Sequence, residues 1–284
     1  MQLLKNWLQG FAGGPDFSKL QKLTFTLEEY RLELMLPYSN IASHEPPRQI
    51  NFPFRAQGWF EANAQQDWHH YGVYVHTEGW CYLAPVVRFD GGEYGVLWLQ
   101  LKIKKVPDTV NALNRNELAQ HVTDEYDAHY NSEVIGPEGN SQGLGWNTQQ
   151  RKKLEAEAEE AASRGATGRK DRLEEHVRLQ IQSFGFPPLK PAQVVSMHGF
   201  DWVFYQERRG ESITRTDHYC LPLDKRYYLA LSFKHQVDVS SEKSWQQHAE
   251  KAQLNIVKSL RLHVGPELDK MLIQDKQSSR LNLS

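Results

Sequence analysis

Apolar and polar residues alternate in two short stretches near the start of the chain, and this period of two predicts half-buried β-strands. The first stretch covers residues 23–27 and the second covers residues 32–36, where Pro37 ends it. The aromatic segment at residues 52–80 predicts further short strands separated by loops.

A β-hairpin is the clearest local prediction in the first half. Two strand-like runs, at residues 82–89 and 94–103, flank an Asp-Gly-Gly turn at residues 90–92. Glycine and aspartate between two alternating runs are typical of hairpin turns.

Several segments of the chain, one of them after this hairpin, have the residue pattern of helices. Apolar residues fall at every fourth position from Leu118 to Tyr126 and predict a helix that ends near Asn131. A short amphipathic helix is predicted over residues 3–11. Residues 149–163 and 171–182 are rich in helix-forming, charged residues and predict solvated helices with a glycine-containing break between them.

The second half shows the same order of patterns as the first. Strands are predicted at residues 200–207, 212–223 and 227–235, and an amphipathic helix capped by Ser240 or Ser241 follows them. Both halves therefore run hairpin, polar loop and terminal helix. The sequence predicts an α+β protein of two similar units, each an antiparallel β-sheet packed with helices.

The boundary between these units is predicted in a glycine-rich segment. Residues 136–145 contain four glycines and one proline, which is the strongest change of composition in the chain. We therefore expect an N-terminal α+β domain over residues 1–138 and a C-terminal α+β domain over residues 139–284 that begins with a charged helix.

Composition and charge narrow the class of function. The 33 Lys and Arg nearly balance the 35 Asp and Glu among 284 residues, which leaves a formal net charge of -2 and argues against nucleic-acid binding through phosphate attraction. Cys81 and Cys220 cannot build a disulfide framework, so a reducing compartment such as the cytoplasm is expected. No apolar run reaches the ~18 residues of a membrane-spanning helix, so no integral membrane segment is expected.

One sequence pattern raises the alternative of a serine hydrolase. Residues 139–143 match G-x-S-x-G, in which Ser141 would be the nucleophile. That geometry needs a buried strand directly before the serine, because the strand-to-helix turn projects the hydroxyl toward its base. Residues 134–138 are too short and broken for such a strand, and a flexible linker explains the glycines better.

A metal site on the predicted helix is unfavourable. His121, Glu125 and His129 lie at positions i, i+4 and i+8 and share one face. The outer pair is separated by ~12 Å along the axis, which is too far for one ion with bonds of ~2.1 Å. We therefore expect an exposed helix face.

A cluster of histidines near residue 70 also favours a structural interpretation. His69 and His70, with Asp67 and His76 nearby, lack a recognised ligand spacing. The sequence thus predicts no metal site, no cofactor and no catalytic residue.

The cysteines complete the set of candidate reactive groups. His218 lies two residues before Cys220 and would share its strand face, which would permit an activated thiol. Because burial among apolar residues raises a thiol's pKa, we expect Cys81 and Cys220 to be small core residues.

The closing segment resembles a known fold family. Residues 227–262 combine a strand at 228–233, a polar loop, a helix and the run IVKSLRL at 256–262. This segment resembles the end of the PsbP-like or Mog-type α+β fold, in which a final helix packs on an antiparallel sheet. Similar bacterial proteins include small chaperones for type VI secretion effectors and immunity proteins that neutralise secreted toxins. The resemblance covers about an eighth of the chain, implies an adhesive scaffold and carries over no functional residue.

Protein binding is therefore the expected function. We expect a non-catalytic immunity protein, or a chaperone or adaptor protein, whose partner is a secreted bacterial toxin or effector. Trp59, Trp68, Tyr71 and Tyr74 are the candidate partner-binding residues, because exposed Trp and Tyr side chains concentrate binding energy. A hydrolase using Ser141 and a carbohydrate-binding module with exposed coplanar rings are the alternatives.

Overall fold

The structure is a computed structural model. No helix among the described residues is both long and apolar enough to cross a lipid bilayer. The helix predicted at residues 3–11 lies largely outside the described residues, as do Ser240 and Ser241. The described residues are 10–41, 49–67, 69–85, 92–133, 143–166, 168–197, 199–238 and 243–265.

Helices and strands alternate along these ranges. The helices are α1 (Trp59–Asn63), α2 (Arg115–Tyr130), α3 (Trp146–Ser163), α4 (Gly168–Asp171), α5 (Leu173–Phe184) and α6 (Lys243–Ser259). The strands are β1 (Ala12–Gly13), β2 (Leu20–Leu27), β3 (Tyr30–Pro37), β4 (Asn51–Phe52), β5 (Gln65–Asp67), β6 (His70–Leu83), β7 (Glu93–Lys105), β8 (Gln193–Met197), β9 (Phe200–Arg208), β10 (Arg215–Pro222), β11 (Tyr227–Val237) and β12 (Arg261–His263).

One antiparallel sheet of eight strands contains segments from both halves of the chain. Its order is β1, β6, β7, β11, β10, β9 and β8, and β5 pairs alongside β6. β7 and β11 pair continuously, from Tyr227 opposite Lys105 to Val237 opposite Gly95. The α+β class is thus confirmed. The expectation of two similar units, each with its own sheet, is not confirmed, because alternation specifies strands without specifying which strands pair.

A second sheet also joins distant parts of the sequence. Its four strands have the order β12, β3, β2 and β4. β2 and β3 contain the two strands predicted from alternation and pair with each other, with Leu23 opposite Leu34. β12 adds to the outer side of β3, where Leu262 lies opposite Leu32. Residues from the last quarter of the chain therefore complete a sheet that begins near its start.

The main apolar core lies between the two sheets and α6. Alternate residues of β7 point into it, as the sequence pattern predicts, and each such burial stabilises the fold by roughly 1.5–3 kcal/mol. α6 contributes its predicted apolar stripe from the other side. The fully buried members from these two elements include Leu97, Leu99, Leu101, Ile103, Trp245, Ala249 and Ile256.

Helix α2 covers part of the opposite face of the large sheet. Leu118 and Val122 pack there with Val203, Cys220 and Tyr228. The helix begins after Asn114, whose side chain accepts a hydrogen bond from the Asn116 N–H at 3.1 Å, and it ends one residue before Asn131. The prediction of a helix ending near Asn131 is confirmed.

The segment predicted as short strands and loops contains a long strand instead. β6 runs for 14 residues and forms the first strand of the predicted hairpin. Both of its faces are mostly buried, so its sequence lacks simple alternation, and a register shift between Tyr74 and His76 disturbs the pattern further. Gly79 permits close packing, because a Cβ there would lie 2.6 Å from the Trp98 ring.

A buried polar network lies between the large sheet and α6. The Nε2 of His235 is 2.5 Å from the Gln253 Oε1. The Gln253 Nε2 lies 3.1 Å from both the Asp217 Oδ2 and the Tyr219 hydroxyl. This orientation makes the Gln253 oxygen an acceptor and His235 the donor. Burial lowers the pKa of His235 below its usual value, so the imidazole is neutral in the folded protein.

We predict that His235 makes the fold sensitive to mild acid. Its contribution is fully present above the ordinary histidine pKa of about 6.5 and is lost as the pH falls toward the lower folded pKa, because the unfolded chain binds the proton more readily. Urea unfolding at about pH 7.5 and about pH 5.5 should therefore show a smaller loss of stability in His235→Gln than in the wild type. The exposed His263 provides the control. Equal losses in wild type, His235→Gln and His263→Gln would contradict the prediction.

Candidate functional site

The face of the large sheet beneath α2 has charged side chains in its interior. Lys102 and Lys104 alternate with Leu101 and Ile103 along β7, and each lysine is only 2% exposed. The lysines point away from the main apolar core, as alternation requires. Buried charges persist in folded proteins when they have partners, so the groups that face these lysines define a site.

Glu207 on β9 lies at the centre of this site. Its Oε1 is 2.9 Å from the His69 Nε2, 3.1 Å from the His218 Nε2 and 3.4 Å from the His70 Nε2. The side chains of His69 and His218 are each 2% exposed, whereas those of Glu207 and His70 are 13% and 15% exposed. We term these four residues the histidine-glutamate cluster.

Curvature of the sheet brings this cluster together. His69 and His70 lie at the start of β6, while Glu207 is near the end of β9. Three strands, β7, β11 and β10, separate β6 from β9 in the sheet. A flat sheet would hold β6 and β9 roughly 19 Å apart, at about 4.8 Å per strand. Direct contact between their side chains therefore requires strong twisting and coiling, which makes this face concave.

The electrostatics of the cluster favour an ionised carboxylate beside a neutral histidine. Burial alone would raise the pKa of Glu207, but His218, His70 and His69 outweigh burial and hold this pKa well below its usual value. Burial lowers the pKa of His70 well below its usual value. Because the cost of charging His70 in the interior dominates, we assign Glu207 as the anion and His70 as an uncharged hydrogen-bond donor.

Lys104 connects the cluster to helix α2. Its Nζ lies 2.7 Å from the Glu125 Oε2 and 3.4 Å from the His70 Nδ1. An ammonium group can only donate, so the His70 Nδ1 is the acceptor, and the imidazole proton sits on Nε2 beside Glu207. The contacts of Lys104 and Glu207 thus select the same tautomer of His70.

A second charged group extends the site toward β5. The Tyr74 hydroxyl donates to the Asp67 Oδ2 at 2.8 Å, and the Lys102 Nζ is 3.1 Å from the same oxygen. The Lys102 Nζ also lies 4.2 Å from the centre of the Tyr74 ring. Burial would raise the pKa of Asp67, but the Tyr74 and Lys102 contacts outweigh it and lower this pKa. Asp67 is therefore the counter-ion of Lys102.

Aromatic rings enclose the histidines. Tyr126 and Tyr130 of α2 approach the His69 ring edge-on, with centroids 5.5 Å and 5.3 Å away. The Tyr205 ring stacks on His218 at 4.5 Å, with 10° between the planes. These contacts account for the burial of His69 and His218, while His70 and Glu207 keep a narrow contact with solvent.

The four residues predicted to bind a partner have different surroundings. Tyr71 is 39% exposed and contacts the edge of Phe60. Trp59 is half-buried against the main apolar core. Tyr74 is half-buried and hydrogen-bonded within the site, and Trp68 lies outside the described residues. Tyr71 is thus the exposed member among the three that can be described.

The prediction of an exposed face for His121, Glu125 and His129 is wrong. All three side chains are partly buried. Glu125 binds Lys104, and the His129 ring lies 5.5 Å from the His69 ring. Polar residues at helical spacing usually face solvent, but here the sheet beneath the helix is itself polar. Among the described residues these three do not form a metal-ligand group.

The expectation that the cysteines are core residues is confirmed for Cys220 but not for Cys81, which is partly exposed. Cys220 is fully buried, and burial raises its pKa to about 12. Burial also raises the pKa of Cys81 to about 11. Neither thiol is ionised at neutral pH. Ser141, the alternative nucleophile, lies outside the described residues.

The sequence did not predict that three histidines lie against Glu207. His69 and His70 were grouped there with Asp67 and His76, but Asp67 contacts Lys102 and His76 contacts Glu78. The available signal was a carboxylate at an inward position of β9, two residues beyond the buried Tyr205. A buried carboxylate requires partners, but sequence spacing cannot identify partners that sheet curvature supplies.

Comparisons with known proteins assign no family to this chain. No family model and no curated protein sequence matches this chain. The chain is similar to the solution structure of cyanobacterial PsbP (CyanoP) from Synechocystis sp. PCC 6803, with 9% sequence identity and a TM-score of 0.33, over 88% of this chain and 96% of that one. It transfers no residue role to this chain.

We predict that the Lys104–Glu125 pair is structurally important, unlike the neighbouring Lys105–Glu61 pair. Glu125→Gln leaves a buried ammonium without its anion and should lower the free energy of unfolding by on the order of 3 kcal/mol. Glu61→Gln should cost about 0–1 kcal/mol, because the carboxylate of that pair is exposed. Denaturant unfolding of both variants measures the difference. Equal losses in the free energy of unfolding for the two variants would contradict this assignment. So would a double variant, Lys104→Met/Glu125→Leu, that does not regain the stability lost in Glu125→Gln.

Proposed function

We propose that the chain is a non-catalytic protein-binding protein, an immunity protein or a chaperone or adaptor for a secreted bacterial effector. The observation that carries protein binding is an unprotected strand at one edge of the large sheet. The class of partner is suggested by the resemblance of residues 227–262 to small PsbP-like bacterial proteins. The inward-facing, mutually paired groups of the histidine-glutamate cluster favour binding over catalysis.

The outer side of β8 is available for pairing. β8 pairs with β9 on one side, from Gln193 opposite Phe204 to Met197 opposite Phe200. Within the described ranges no strand pairs with its other side. Sheets usually protect their edges with charged residues, proline or bulges. The five residues of β8, QVVSM, include no charge and no proline.

The side chains of β8 indicate what would pair with it. Val194 is 48% exposed, whereas Val195 and Met197 are half-buried against the main apolar core. Because side chains alternate along a strand, an added strand with an apolar residue at every second position would extend this core face. We therefore propose that β8 binds an extended, uncharged segment of the partner protein by strand addition.

Pairing with a partner segment is favoured over pairing between two copies of this chain. A strand of five residues provides main-chain hydrogen bonds for an extended peptide. The same edge would bury far less than the ~1,200 Å² of a stable dimer. Tyr71, which is exposed, is the candidate for an additional contact with the partner.

We predict that a charge on the β8 edge weakens partner binding. Val194→Lys should reduce the affinity at least tenfold, because a lysine on an edge strand opposes the addition of another strand, and should leave the melting temperature nearly unchanged. Leu254→Lys is the matched control, since Leu254 is 45% exposed on α6. The partner is first captured from the native host with the wild-type chain and then purified for titration.

Hydrogen exchange of the complex locates the contact. Protection of the β8 amides on binding, together with weaker binding by Val194→Lys alone, supports the proposal. It is overturned if the captured protein protects another surface, if both lysine variants bind equally, or if β8 becomes protected through self-association.

A further inference from the structure

The histidine-glutamate cluster has the composition and spacing of a metal site. His69, His70 and Glu207 each offer one ligand atom, and these atoms all lie within 4.8 Å of one another. We propose that His69, His70 and Glu207 bind a divalent transition-metal ion, with Zn²⁺ as the first candidate. Imidazole nitrogen and carboxylate oxygen are ligands that zinc accepts in tetrahedral sites.

The distances in the cluster agree with this coordination. Ligand atoms placed ~2.1 Å from a tetrahedral zinc ion lie roughly 3.4 Å from one another. The Glu207 Oε1 is 2.9 Å from the His69 Nε2 and 3.4 Å from the His70 Nε2. The two distances to the Glu207 Oε1 thus differ from the tetrahedral spacing by about 0.5 Å or less. Each coordinating imidazole stays neutral, so a proton that sits on Nε2 in the metal-free protein moves to Nδ1 by exchange with solvent as the ion binds.

His218 provides a third imidazole nitrogen beside Glu207. Its Nε2 is buried and lies 3.1 Å from the Glu207 Oε1. Its Nδ1 lies 2.8 Å from the Ser232 hydroxyl, which fixes the orientation of the ring. His218 is therefore positioned as a neighbouring or fourth ligand.

Lys104 is compatible with a bound ion. Coordination through the His70 Nε2 places a proton on Nδ1, which faces the Lys104 Nζ at 3.4 Å. The Lys104 Nζ has a closer partner in the Glu125 Oε2 at 2.7 Å. The ammonium can thus turn fully to Glu125 when His70 binds metal. The partly exposed side chains of His70 and Glu207 provide the route from solvent.

The ion would cross-link distant parts of the fold. His69 and Glu207 are 138 residues apart in sequence and lie at the two sides of the concave sheet face. A metal that binds the folded chain and not the unfolded one stabilises it. The proposed site is therefore structural, and it goes beyond the protein-binding function because it involves a different surface.

Titration of the full-length, metal-free chain with Zn²⁺ tests the proposal. We expect one equivalent to bind with a dissociation constant below about 1 µM, and we expect a rise in melting temperature that EDTA reverses. Co²⁺ should give the visible absorption of a tetrahedral site. Glu207→Gln and His70→Gln should each weaken Zn²⁺ binding at least 100-fold, since loss of outer-shell partners alone costs 10–100-fold. His129→Gln, beside His69 but without a ligand atom in the set, should bind as the wild type does.

Circular dichroism of the metal-free variants checks that each is folded, and His70→Gln decides the outcome if Glu207→Gln does not fold. The proposal is overturned if the folded wild type takes up no Zn²⁺ at micromolar concentration. It is also overturned if uptake is the same in wild type and His70→Gln, because the binding histidines would then lie elsewhere.

Discussion

The pairing of β7 with β11 is the constraint on which the rest of the structure depends. These two strands come from opposite halves of the chain and lie side by side over the whole length of β11. Their pairing merges the strands of both halves into one sheet. Every other feature described here, the apolar core, the polar face and the exposed edge, is a property of that shared sheet.

The two faces of the sheet have opposite chemistry because side chains alternate. Leu101 and Ile103 of β7 enter the main apolar core, while Lys102 and Lys104 enter the polar interior beneath α2. Curvature then makes the polar face concave and brings Glu207 against histidines from β10 and from the start of β6. Among the described residues the same sheet ends at β8, whose outer side has no strand paired with it. The edge proposed for partner binding and the buried polar face are thus two parts of the same sheet.

Local elements could be predicted from sequence, and their assembly could not. Spacing of two or four residues predicted strands β2 and β3, helix α2 and the strands around Asp224, because such spacing depends on neighbours in sequence. The 14-residue strand β6 was not predicted as one strand, because both of its faces are mostly buried and its apolar and polar residues therefore do not alternate. The two-unit interpretation missed the β7–β11 pair, since strand partners are chosen by tertiary contacts.

The candidate site was predictable only in fragments. His69 and His70 attracted notice as neighbours, and Cys220 was correctly interpreted as buried. Spacing in the sequence could not identify Glu207 as part of a site. One of its partners, His69, lies 138 residues away, and another, His218, lies on the adjacent strand. His121, Glu125 and His129 were assigned to solvent because polar residues on a helix usually face water. A polar surface beneath a helix is visible only after the sheet is assembled.

Native-state hydrogen exchange tests most directly whether the two halves form one cooperative sheet. The account predicts that amides in the centres of β7 and β11 exchange only through global unfolding, with the same free energy within error, and that this value equals the stability from denaturant unfolding. The result that would contradict it is exchange of β7 through an opening that leaves β11 protected, by a difference of about 2 kcal/mol or more.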